Sequence, residues 1–205
     1  MQTPPYWSQA ICHLSRKDKV LAGLIARYPE PLCRQGDSFR TLARAIVGQQ
    51  VSILAAERVW KRLERALAEV SPAALLAWDE QVLLGVGLSR AKVNYLKGLA
   101  RYYLDLGITD AYWQGRALEE IYRELLKIRG IGPWTVEMFA IFHLHEPDVF
   151  SAADLGLQKV VGRLYFQKPA VSKAELESFS QRWRPFRTVA AWYLWRDLDL
   201  EPVIY

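Results

Sequence analysis

An all-α fold is what this sequence predicts, on three observations. Apolar residues return at intervals of three and four along most of the chain, no segment alternates convincingly between apolar and polar, and the breaks are short. At 205 residues, with 51% hydrophobic and 24% charged, the chain can bury the core of one domain or two small ones. This composition excludes wholesale disorder.

Each element can be justified in order. From Phe39, Leu42, Ala43, Ile46 and Val47 form one stripe at helical spacing. After "GQQVS", Ala56, Val59, Trp60, Leu63 and Leu67 form a second. Ser71-Pro72 offers an N-cap followed by proline at the first helical position. Ser89 opens a helix marked by Leu96, Leu99, Ala100 and Tyr103, and "LEEIYRELLKI" aligns Leu118, Ile121, Tyr122, Leu125 and Ile128. Pro133 begins a further helix through Met138 and Ile141, which "EPDVFSAAD" interrupts. Helical period resumes at Leu157, Val160, Val161 and Leu164, and "RWRPFRTVAAWYLWRDL" reads as an aromatic-rich last helix.

The net charge of +5 permits a polyanionic partner without demanding one. Cys12 and Cys33 are the two cysteines, too few for a cysteine-held zinc or iron–sulfur site. His143 and His145 alternate, but no third metal ligand accompanies them, and they sit where a helix C-terminus favours imidazole. No apolar run is long enough for a signal peptide or a membrane span, so the expectation is a cytoplasmic protein with no membrane partner.

The stretch "KIRGIGPWTVE" carries the strongest functional signal. A dinucleotide fingerprint needs a preceding strand and a third glycine where Thr135 stands, and a Walker loop needs Gly-Lys-Ser/Thr. What remains is a helix, a tight Gly130-Ile131-Gly132 hairpin and a second helix opening at Pro133. Glycines let backbone approach an anion, and the N–H groups of a helix start suit a phosphate. The alternative is a plain helix connection with a glycine C-cap. "LLGVGLSRAK", 45 residues earlier, repeats the Gly-x-Gly turn before a helix.

"LLKIRGIGPWTVEMFAIF" followed by "DVFSAADLGLQK" resembles the helix-hairpin-helix (HhH-GPD) DNA glycosylase superfamily, in its 3-methyladenine DNA glycosylase II group. "FRTLARAIVGQQVSILAAERVW", "GLSRAKVNYLKGLA" and "RWRPFRTVAAWYLW" match further blocks in the same order, so the resemblance runs from about Phe39 to Trp195. It implies a two-lobed helical fold with the pocket between the lobes, and because the chain begins close to that core, the expectation is no N-terminal β domain of the kind some relatives carry. Residues 1–38 with 151–205 would form the terminal lobe. Residues 39–150 would form the central one, with the helix-hairpin-helix at about 118–142.

The resemblance also implies a function: flipping a damaged nucleotide out of double-stranded DNA and hydrolysing its N-glycosidic bond. Asp154 matches the catalytic aspartate. A carboxylate there would stabilise the positive charge that develops on the sugar, although an aspartate at that helix start also suits an N-cap. Asp148, in "EPD", reads as structural. The phosphate-facing amides would be near Gly130, Gly132 and Thr135. A structural Na+ or K+ would sit on carbonyls near Leu126, Ile128 and Ile131, with no cofactor for catalysis.

Trp134 occupies the position where bifunctional members carry a lysine, and the nearest lysine, Lys127, precedes the hairpin. The implication is a monofunctional enzyme with water as nucleophile. Trp134 and Trp195 would face the base, since an indole attracts the cationic ring of an alkylated purine. Met138 stands where some relatives place a pocket tyrosine, and Gln50 where one branch has a leucine wedge. Trp60, Trp78, Trp113, Trp183 and Trp192 read as packing. The expectation is therefore a monomeric alkylpurine glycosylase. A glycosylase for deaminated purines and a non-catalytic damaged-DNA-binding module are the alternatives.

Overall fold

The structure, a computed structural model, describes residues 3–34 and 36–198. Residues 1–2, 35 and 199–205 of the expected terminal lobe lie outside the described residues. The chain runs through α1 (Trp7–Lys17), α2 (Lys19–Arg27), α3 (Ser38–Gly48), α4 (Ile53–Leu67), α5 (Pro72–Ala77), α6 (Glu80–Gly85) and α7 (Arg90–Asp105). It continues through α8 (Asp110–Trp113), α9 (Leu118–Leu125), α10 (Pro133–Phe139), α11 (Leu155–Val161), α12 (Lys173–Ser180) and α13 (Arg187–Arg196). No strand occurs among the described residues, and no helix among them is long and apolar enough to cross a membrane.

The residues that start these helices are the ones their chemistry favours. Asp37, Ser52, Ser71, Asp79 and Ser89 each accept a backbone N–H from the first turn of α3, α4, α5, α6 and α7, and Ser71 is followed by proline. Ser172 and Glu175 close a reciprocal capping box on α12.

The described residues fall into two compact units: 3–34 with 140–198, and 36–139. The second boundary thus falls at 139/140, earlier than the expected 150/151. The cause is the packing of the segment just after α10. A π-helical stretch, Ala140–Leu144, continues that helix. Phe142 within it stacks on Trp195 of α13, with centroids 5.7 Å apart, and Glu146 O accepts from Thr188 Oγ1.

In the central unit, α3 buries Phe39, Leu42, Ala43, Ile46 and Val47 and packs against α4, α7 and α10. Trp60 of α4 lies beneath the Arg40 and Arg44 guanidinium groups, which pair with Glu64 and Glu57. The second Gly-x-Gly turn is a packing turn on one side. Arg62 Nε donates to Val86 O at 2.7 Å, and a Cβ on Gly87 (φ +99°) would lie 2.7 Å from Arg62 Nη2. Trp113 is buried as expected, whereas Trp78, the residue that ends α5, is 36% exposed.

The terminal unit is built around α13, where every residue from Thr188 to Arg196 is buried, as in a helix surrounded by others. Asp18 is its polar hub. Oδ1 caps α2 through Val20 N and Leu21 N, while Oδ2 accepts from Tyr165 Oη at 3.0 Å and Trp183 Nε1 at 2.9 Å. Asp148 is structural, held by Arg184 at 2.8 Å and Arg187 at 2.7 Å. Burial works against its charge, but these two guanidinium groups hold its carboxyl below the usual range.

Candidate active site

The hairpin begins where α9 runs out of helical hydrogen bonds. Ile128 N donates to Leu125 O and Ile131 N to Ile128 O, both at 3.0 Å, and Gly130 takes the left-handed φ of +92°. Tyr95 lies against the turn so closely that a Cβ on Gly130 would stand 2.1 Å from its ring. Gly132 has no such cause: its φ is not positive, and nothing lies within 4 Å of where a Cβ would be. The side of Gly132 is open, at the N-terminal end of α10.

Gln49, to which the sequence assigns no role, fixes the hairpin. Its Nε2 donates to Gly130 O at 2.8 Å and to Thr135 Oγ1 at 2.9 Å. Thr135, expected for its amide, has its side chain buried in this contact. Lys92 then anchors the backbone of Gln49. Its Nζ donates to Val47 O at 2.8 Å and Gln49 O at 2.9 Å, and burial lowers its pKa. The only sequence signal for Lys92 was its place in the first turn after the Ser89 cap.

Gln50 comes next, in the left-handed region at φ +56°, and is exposed. A glutamine held there carries strain that the surrounding structure has to impose, and such strain gathers at binding sites. The expected base-facing residues separate. Trp134 is half-buried at the start of α10, but Met138 is wholly enclosed in the core. It stands one helical turn after Trp134, on the same side of α10, and is more deeply buried.

The carbonyls of Leu126, Ile128 and Ile131 bracket the turn. They are neutral oxygen donors, a set that suits an alkali cation better than a transition metal. Ile128 O already accepts from Ile131 N, leaving it one lone pair.

In the terminal unit, Asp154 is the N-cap that its place at a helix start suggests. Its Oδ1 caps α11 through Leu157 N at 2.9 Å and accepts from Trp195 Nε1 at 3.1 Å. Trp195 is 4% exposed and stacked on Phe142, and its N–H holds the carboxylate. The carboxylate is half-buried and oriented by two N–H donors. Gly156 is confined there too, since a Cβ would lie 3.0 Å from Asp154 Oδ1 and 2.7 Å from Leu198. A carboxylate held in this way can stabilise a cation that forms beside it without first reorganising.

The family model described as HhH-GPD superfamily base excision DNA repair protein matches residues 43–185. The chain is 31% identical over 202 residues to DNA-3-methyladenine glycosylase 1 of Schizosaccharomyces pombe, covering 94% of this chain and 88% of that protein. It is 27% identical over 177 residues to DNA-3-methyladenine glycosylase 2 of Escherichia coli, covering 81% of this chain and 60% of that protein. Among solved structures, a Schizosaccharomyces pombe 3-methyladenine DNA glycosylase in complex with abasic DNA matches with a TM-score of 0.83 at 29% identity. That match covers 92% of this chain and 95% of the other.

Proposed function

We infer that this chain, which belongs to the HhH-GPD superfamily of base excision DNA repair proteins, excises alkylated purines from double-stranded DNA by hydrolysing the N-glycosidic bond. The observation that carries the chemistry is Asp154, whose Oδ1 is clamped between Leu157 N and Trp195 Nε1.

A purine alkylated on a ring nitrogen is already a cation, so it leaves neutral when the C1′–N bond breaks. The positive charge passes to the sugar as an oxocarbenium ion. The Asp154 carboxylate stabilises that charge, water adds its oxygen to C1′, and one proton is released. The half-buried indole of Trp134 supports recognition of the flipped cation, an attraction of about 0.5–2 kcal/mol. Flipping itself costs a few kcal/mol, least at a damaged pair. The open side of Gly132 and the N–H groups at the start of α10 support phosphate binding there, and the exposed, left-handed Gln50 supports a wedge role. A bound Na+ or K+ on the carbonyls of Leu126, Ile128 and Ile131 would add positive charge to the same hairpin.

No amine occupies the position of Trp134, and Lys127 is an exposed residue before the turn. This supports a monofunctional enzyme that leaves an abasic site on an intact strand.

The test is release of free base from methylated duplex DNA, beside Asp154→Asn. Asparagine can still accept at Oδ1, so the fold should survive while the rate falls about 10²–10³-fold. Strand breaks should appear only after alkali. Breaks without alkali would overturn the monofunctional reading. Binding without release from any alkylated or deaminated substrate would leave a damaged-DNA-binding module.

A further inference from the structure

The outer face of α4 carries a function that neither the hairpin nor Asp154 supplies. Arg58, Lys61, Arg62 and Arg65 recur at i, i+3, i+4 and i+7, which at 100° per residue is one face of the helix, and all four are exposed. The buried Trp60, Leu63 and Leu67 lie on the opposite side. The two carboxylates of this stretch are turned aside. Glu57 pairs with Arg44 and Glu64 with Arg40, both arginines of α3, so the acidic charge is spent on the α3–α4 contact. Lys61 retains a 3.4 Å contact with Glu57. Among the described residues no carboxylate pairs with Arg58, Arg62 or Arg65.

Two neighbours give this face a direction. At its N-terminal end, one turn from Arg58, Leu54 is 53% exposed on the same face, with Val51 exposed just before it and Gln50 next in line. At its middle, Arg62 reaches the second Gly-x-Gly turn through Val86 O. An apolar tip beside a strained polar residue, continued by a row of cations, matches a duplex whose bases are parted at one point and whose strand runs on past it.

We propose that the exposed face of α4 is a second, sequence-independent phosphate-binding surface, which tracks one DNA strand away from the base gap at Gln50. It rests on the reading of this chain as a DNA-acting enzyme. From Arg58 to Arg65 the helix rises about 10 Å, a length that meets about three phosphates of one strand. Contacts of this kind hold the duplex in place and read no bases. The second Gly-x-Gly turn then acts by presenting Arg62, since Gly87 leaves room for that guanidinium over the turn.

The test is the salt dependence of binding to an undamaged duplex of about 20 base pairs. Wild type is compared with Arg58→Gln/Lys61→Gln/Arg65→Gln, Arg58→Lys/Arg65→Lys and a charge-matched control, Arg16→Gln/Lys17→Gln/Lys19→Gln, in the terminal unit. Circular dichroism melting confirms folding of each. The slope of log K against log salt should fall in magnitude by about 2 to 3 in the α4 triple variant, since each lost phosphate contact removes about 0.9. It should stay at the wild-type value in the lysine variant and in the control. An unchanged slope in the triple variant, or an equal fall in the control, overturns the proposal. A wild type with no salt-dependent binding overturns the DNA reading beneath it.

Discussion

Gly130 and Gly132 sit two residues apart and are glycines for different reasons. Gly130 combines a φ of +92° with a tyrosine ring in the space of its Cβ, so Gly130→Ala should cost about 1–3 kcal/mol of stability in urea unfolding. Gly132 has open space and an ordinary φ. Gly132→Ala should leave stability within about 0.5 kcal/mol yet weaken DNA binding, because only a partner has to come that close. Trp195 can be dissected in the same way. Trp195→Phe keeps a ring against Phe142 and removes only the N–H to Asp154. Its single-turnover base release should fall about tenfold, near 1.4 kcal/mol, with DNA affinity unchanged. A loss of affinity in place of rate would return Trp195 to the role of a base-contacting face.

Among the elements, the hairpin does not stand alone. Gln49, at the end of α3, ties the turn between α9 and α10 to the backbone that Lys92 of α7 anchors. Gln49→Ala would leave Gly130 O and Thr135 Oγ1 without this donor, at a cost of about 1–2 kcal/mol. Because Gln50 is the next residue, duplex affinity should fall as well, measured on undamaged DNA to separate it from catalysis. Unchanged affinity would show that hairpin and turn act independently. The helices with a long apolar stripe were legible, since stripes and caps are local, whereas α1, α2, α6, α8 and α12 were not singled out. The tie was not legible, because the sequence "GQQVS" does not distinguish a glutamine turned inward from one turned outward.

For the whole molecule, acid is where stability should be lost, in two windows. Burial, with Arg34 nearby, lowers the His145 pKa to about 4. As pH falls from about 6.5 to 4 the unfolded chain binds a proton that the folded one refuses, so stability declines across that window. His145→Asn removes the titration and suits the left-handed φ of +58°. Urea midpoints should then decline less between pH 6.5 and 4, by an amount worth about 1–2 kcal/mol after discounting for solvent at the ring. An undiminished decline would assign the effect elsewhere. Asp148 and Glu124, both held below the ordinary carboxyl range by arginine and hydroxyl partners against their burial, contribute stability that is lost only at still lower pH. Asp18 is a different kind of dependence. Asp18→Ala removes a helix cap and strands the Tyr165 hydroxyl and the Trp183 N–H, so a loss of about 2–4 kcal/mol is expected in the same urea assay.

The sequence by itself determined the all-α class, the helices with a long apolar stripe, the hairpin and the family, because each depends on residues close together or on ordered blocks along the chain. It also placed Asp154 at a helix start and Trp134 where an amine would otherwise stand. Only the tertiary structure decided that Trp195 clamps Asp154 across 41 residues, that Gln49 holds Gly130 across 81, and that Asp18 meets Trp183 across 165. Those pairings depend on which faces the core closes together, and a hydrogen bond between distant residues leaves no periodic trace in the chain.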